Sequence, residues 1–174
     1  MDASSPPSTA KPYRIVFVCT GNICRSPTAH AVLRHKLSAS ARVLPVEVDS
    51  AGTHAYHAGQ AADPRSQAVA RQRGYDLSDL RARQLTKRDF ERADLVLVMD
   101  DDNLLAAAAQ CPAPHRHKLR RLVEFCRRHP ATHVADPYYG GTSGFEQVLD
   151  VVEDACDGLL EQLRDGPRKP GTLA

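Results

Sequence analysis

An α/β fold, a parallel sheet with helices on both faces, is what the order of segments in this 174-residue chain predicts. Three observations carry that expectation. Short β-branched apolar runs recur along the chain, segments of helical spacing alternate with them, and no internal repeat or linker divides the sequence. The length suits one domain with a substantial core.

Residues 13–19 (YRIVFVC) are apolar with polar flanks and read as a buried parallel strand. Residues 27–37 follow with Ala29, Val32, Leu33 and Leu37 on one helical stripe. Residues 43–50 alternate as a second strand and end in Ala51-Gly52. Asp63-Pro64 looks like an N-cap and first helical position, opening a helix to Arg73 that Gly74 closes. Residues 95–99 (LVLVM) are the most strand-like run. Asp100 to Asp102 then lead into an Ala-rich helix ending near Gln110, and residues 118–123 form a fourth strand. Phe145, Val148, Leu149, Val152, Leu159 and Leu160 mark a final amphipathic helix over 145–163. The domain is expected over residues 13–163, with a disordered tail at 1–12 and a flexible one at 164–174.

The 23 Lys and Arg nearly balance the 21 Asp and Glu, which argues against a nucleic-acid binder. No apolar stretch approaches the roughly 20 residues of a membrane span, and the first residues lack a signal-peptide core. Five cysteines, odd in number and without zinc-ligand spacing, fit a reducing cytoplasm. The basic cluster around His115, His117, Lys118, Arg120 and Arg121 reads as a solvated face, and His54 and His57 lack a third metal-ligand partner.

The informative segment is Val18-Cys19-Thr20-Gly21-Asn22-Ile23-Cys24-Arg25-Ser26-Pro27. A cysteine ends a strand, an arginine follows six positions later, and helix-starting chemistry comes next. Between them the backbone must curl so that successive N–H groups point inward, and Gly21 and Asn22 both tolerate the left-handed conformation that such a nest needs. Ser26 is a good N-cap and Pro27 a good first helical residue, so a helix N-terminus abuts the loop and favours a bound dianion. The same field favours the thiolate of Cys19. The planar fork of Arg25 suits two phosphoryl oxygens at once. In sheets of this kind ligands bind beyond the carboxyl ends of the strands, so the Cys19, Ser50 and Asp100 turns converge on one edge. A general acid is also needed if the leaving group is a phenolate, and Asp136, in the rigid loop Asp136-Pro137-Tyr138-Tyr139-Gly140-Gly141, is the candidate.

Taken together these residues resemble the low-molecular-weight protein tyrosine phosphatases, in their bacterial form. The resemblance covers the chain from Tyr13 to about Leu163. It rests on CTGNICRSP from Cys19, DSAGT from Asp49, ADPR from Ala62, RARQ from Arg81, Met99-Asp100 and DPYYGG from Asp136. It implies a compact, flavodoxin-like domain with a four-stranded parallel sheet, without metal or cofactor. By position, Cys19 is then the nucleophile, Arg25 holds the phosphoryl group, and Asp136 is the acid and later the base. Ser26 hydrogen-bonds the sulfur, Thr20, Gly21, Ile23 and Cys24 complete the phosphate loop, and Asn22 and Ser50 brace it. Tyr56, Tyr138 and Tyr139 wall a cleft for the substrate ring. The partner implied is a phosphotyrosine protein, not nucleic acid or membrane, and the enzyme a monomer or weak dimer. In this family a neighbouring cysteine, here Cys24, can pair reversibly with the nucleophile.

Two positions bear on the resemblance. Leu80 stands where many members place a bracing histidine, so that bracing is altered or supplied otherwise. Ile23 stands where the related protein-arginine phosphatases carry threonine, and it fits a planar aromatic ester better. An arsenate reductase of the same fold needs further cysteines around residues 80 to 90, where this chain has none. A non-catalytic phosphopeptide-binding module needs neither the thiol nor the acid.

Overall fold

A computed structural model describes residues 11–166. Most of the two expected tails (residues 1–10 and 167–174) lies outside the described residues. Four strands, β1 (Tyr13–Cys19), β2 (Val46–Gly52), β3 (Leu95–Val98) and β4 (Leu119–Arg121), form one sheet in the order β2-β1-β3-β4, every pair parallel. The helices are α1 (Arg25–Ala39), α2 (Pro64–Gln72), α3 (Lys87–Arg92), α4 (Asp101–Gln110) and α5 (Thr142–Arg164).

Alternation along β1 and β3 divides the core. Ile15, Phe17, Leu95 and Leu97 pack with α1 and α5, including Val32, Leu33, Leu149, Val152 and Leu159. Val16, Val18, Val96 and Val98 face the other way, against Phe90 of α3 and Ala107 of α4. Both faces of the central strands are thus buried, which is why they read as continuous apolar runs. The strand order reverses direction between β1 and β3, and their carboxyl ends therefore open a crevice at Cys19 and Asp100.

Several boundaries differ from those the sequence suggested. Helix α1 begins at Arg25, and its N-cap is Cys24, not Ser26. The Ser26 hydroxyl is occupied inside the loop and is not free to cap. Strand β2 starts at Val46, after Pro45, whose missing N–H cannot join a ladder. The fourth strand shrinks to three residues between two 3₁₀ turns, Ala113–Lys118 and Leu122–Phe125. Helix α3 was not legible as periodicity because it spans under two turns. Its signal was Thr86, whose N–H is met by the Asp89 carboxylate at 2.8 Å. The basic cluster is largely paired: Arg121 with Asp101, Arg120 with Glu124, and Lys118 Nζ with the Phe90 carbonyl.

Helix α5 is held to the preceding segment by a buried carboxylate. Asp154 accepts from the backbone N–H groups of Arg127, Arg128 and His129. Burial by itself raises this carboxyl, but the three donors outweigh it and hold it below the usual carboxylate range. Four residues on, Gly158 meets the chain so closely that a Cβ there would stand 1.9 Å from the Phe125 carbonyl oxygen.

Candidate active site

Cys19 closes β1 and is 3 % exposed. Its Sγ lies 3.0 Å from Ser26 Oγ. Asn22 Nδ2 donates to that same oxygen at 2.7 Å, which leaves the hydroxyl proton free to point at sulfur. That proton is placed to hydrogen-bond the sulfur. Asn22 is the one non-glycine residue at positive φ (56°) among the described residues, and its Oδ1 accepts from Arg83 N at 3.0 Å. Gly21, expected to share that conformation, does not adopt it. Its lack of a side chain serves a close approach instead, because a Cβ would stand 2.9 Å from the His57 ring. Gly52 at the end of β2 is tighter still, with Thr20 O 2.7 Å from its Cβ position.

The carbonyls of Cys19, Thr20, Ile23 and Cys24 accept from the N–H groups of Thr53, His54, Asp63 and Thr28. Since C=O and N–H of one planar peptide point in opposite directions, the amides of Thr20, Gly21, Cys24 and Arg25 are turned away from those donors, toward the cleft. The opening turn of α1 continues the same polarity.

Arg25 is fully buried beneath this loop. Nη1 donates to Asp100 Oδ2 (2.5 Å) and to the Val134 carbonyl (3.0 Å), and Nη2 lies 3.4 Å from Thr20 Oγ1 and 3.6 Å from Asp136 Oδ2. A buried guanidinium needs a carboxylate partner, and Asp100 provides one while its other oxygen caps α4 at Asn103 N. Asn103, also buried, donates from Nδ2 to Thr20 Oγ1 at 3.1 Å. Asp136 is half-exposed, and its Oδ1 accepts from Tyr138 N at 3.1 Å.

A cleft of about 340 Å³ is lined by Cys19, Gly21, Arg25 and Asp136 at its base and by Tyr56, His57, Tyr138 and Tyr139 at its mouth, with Ile23 and Cys24 between them. Tyr139 is 96 % exposed. A larger groove, about 790 Å³, lies at the amino ends of the strands, and neither cysteine nor histidine lines it. Burial, then the nearby Asp63, pushes Cys24 up to about 12. It stays a neutral thiol.

Ser50, expected to brace the loop, makes its side-chain contact with His30 of α1, whose Nδ1 is 3.0 Å from Ser50 Oγ. Its neighbour Ala51 carries the link onward, since the Ala51 carbonyl lies 3.4 Å from Ser26 Oγ. Leu80 instead packs against the core. His30 and Asn103 were missed from sequence, and Asp100, whose turn was expected at this edge, was not assigned as the partner of Arg25. Asn103 had a signal in its cap spacing from Asp100; His30 had none.

Burial, the largest cause, drives His30 down to about 4. Its folded value lies below the ~6.5 of an unfolded histidine, so the unfolded chain gains the proton first as pH falls. Stability should therefore drop between pH 6.5 and 4, by about 2 kcal/mol at pH 5. Denaturant unfolding of His30→Gln at pH 7 and pH 5 checks this. The variant should lose that part of the pH dependence, and an unchanged slope excludes it.

Comparisons with known proteins point one way. Residues 14–168 match the family model described as low molecular weight phosphotyrosine protein phosphatase. The chain is 45% identical over 159 residues to the low molecular weight protein-tyrosine-phosphatase of Streptomyces coelicolor, covering 88% of this chain and 94% of that protein. It is 38% identical to low molecular weight protein-tyrosine phosphatase A of Mycobacterium tuberculosis, covering 90% and 98%. A crystal structure of a protein tyrosine phosphatase from Entamoeba histolytica, with Hepes in the active site, superposes with a TM-score of 0.85 at 40% identity, over 88% of this chain and 98% of that one.

Proposed function

Because the chain belongs to the low molecular weight protein-tyrosine phosphatases, we propose that it hydrolyses protein phosphotyrosine in two steps through a phosphate ester of Cys19. The observation that supports this best is the grouping of Cys19, Arg25 and Asp136 on one cleft, with Ser26 Oγ 3.0 Å from the sulfur.

In the first step the Cys19 thiolate attacks phosphorus while the fork of Arg25 and the loop amides hold the equatorial oxygens. The P–O bond to tyrosine breaks, and Asp136 gives its proton to the departing phenolate. In the second step the Asp136 carboxylate takes a proton from water as that water attacks phosphorus. The S–P bond breaks, Ser26 steadies the returning thiolate, and inorganic phosphate leaves. Tyr56, Tyr138 and Tyr139 offer ring faces to the substrate, and apolar Ile23 suits an aromatic ester better than a guanidinium. Asn22 braces the loop, Ser50 holds His30 of α1 behind it, and Thr20 and Gly21 complete the cradle. The enzyme works as a monomer or weak dimer in a reducing bacterial cytoplasm, a setting that suits five unpaired cysteines.

Asp136→Ala tests the assignment. Its kcat on phenyl phosphate should fall by about 10² to 10³, whereas p-nitrophenyl phosphate, whose phenolate needs little help, should lose about tenfold or less. Equal losses on the two esters remove Asp136 from the role.

A further inference from the structure

The loop that carries Asp136 has few anchors. Among the described residues, Arg65 is the one side chain outside residues 135–141 that hydrogen-bonds this segment, donating from Nη1 to the Tyr138 carbonyl at 3.1 Å. Its guanidinium carbon lies 4.6 Å from the centre of the Phe145 ring and 5.5 Å from that of Tyr138. The remaining edge is filled by Asp63, with Nε to Oδ1 at 3.1 Å and Nη2 to Oδ2 at 2.9 Å. One planar cation therefore joins a carboxylate, a carbonyl and two aromatic rings, which the point charge of a lysine cannot do at once.

Both ends of this assembly reach the reacting groups. Asp63 N donates to the Ile23 carbonyl at 2.8 Å, so the residue that grips Arg65 is itself fixed to the phosphate loop. At the other end Tyr138 N donates to Asp136 Oδ1 at 3.1 Å. The cap of α2 does not explain the side chain, because Asp63 caps through the backbone N–H of Arg65.

We propose that Arg65 is a positioning residue for the general acid: it sets the distance between the Asp136 loop and the phosphate loop. This rests on the reading of Asp136 as the acid, and Arg65 itself touches no reacting atom. Its removal leaves Cys19, Arg25 and the amide cradle intact and misplaces one carboxyl.

The test compares Arg65→Ala with the parent, each with and without Asp136→Ala, on phenyl phosphate and p-nitrophenyl phosphate. Arg65→Ala should lower kcat on phenyl phosphate about tenfold and on p-nitrophenyl phosphate less than about twofold. Inhibition by inorganic phosphate should stay within about twofold. In the Asp136→Ala background the same substitution should add less than about twofold, since a residue acting through Asp136 has nothing left to position. Arg65→Lys should resemble Arg65→Ala, and it carries the comparison if the alanine variant does not fold. Equal losses on both esters, or a further tenfold loss without Asp136, overturn the proposal while leaving Asp136 as the acid. An Asp136→Ala enzyme without leaving-group dependence overturns the acid assignment and this coupling together.

Discussion

Cys19→Ser should turn over no phosphotyrosine above background, a loss on the order of 10⁴-fold or more, and should still bind inorganic phosphate. The substitution changes one atom at the end of β1 and leaves every anion-holding group in place. Arg25 keeps its contacts with Asp100 and the Val134 carbonyl, and the loop keeps its bonds to Thr53, His54 and Asp63. What disappears is the sulfur nucleophile itself. A serine hydroxyl beside the Ser26 hydroxyl has no base to take its proton, because the nearest carboxylates are committed to Arg25 or to the leaving group. Phosphate affinity within a few-fold of the parent, measured by calorimetry, together with absent turnover is the expected pair of results. A Cys19→Ser enzyme retaining a few per cent of activity rules out the covalent intermediate. So does a parent enzyme that, quenched during turnover of a labelled aryl phosphate, carries no label on residue 19.

Gly158→Ala should destabilise the protein by about 3–5 kcal/mol, enough to lower its melting temperature by roughly 10 °C. Propensity alone predicts the opposite sign, since alanine is favoured over glycine inside a helix by up to about 1 kcal/mol. The structure decides between them. The added methyl would stand 1.9 Å from the Phe125 carbonyl oxygen and 3.1 Å from its carbon, both backbone atoms that cannot rotate aside. Helix α5 would have to lift from the 3₁₀ turn it packs on, and the Asp154 bonds to Arg127, Arg128 and His129 lie in the same seam. A calorimetric melting temperature within about 2 °C of the parent excludes this close approach.

The β1 strand, the α5 helix and the phosphate loop were legible in the sequence because each repeats one physical requirement several times. Phe145, Val148, Leu149 and Val152 all answer to the same buried face. Cys19 and Arg25 were legible for a different reason: a cysteine and an arginine at that spacing before a helix start are rare. Asp136, by contrast, sits in ordinary turn sequence and was reached through the need for an acid and the family resemblance. The parts that escaped depend on partners distant in sequence. The two-turn limit hid α3, the 3₁₀ turns shortened β4, and the Ser26 hydroxyl, read both as a cap and as a partner of the sulfur, lies between Asn22 and Cys19 and does not cap. His30 meets Ser50 only because α1 lies across β2, and Arg65 meets Tyr138 across 73 positions of chain.

Cys24 has a practical consequence for anyone wishing to target the cleft. With its thiol held at about 12, it is inert toward electrophiles at neutral pH even though it lines the same opening. An alkylating warhead delivered there should therefore spare Cys24, and labelling of the cleft does not count this second thiol.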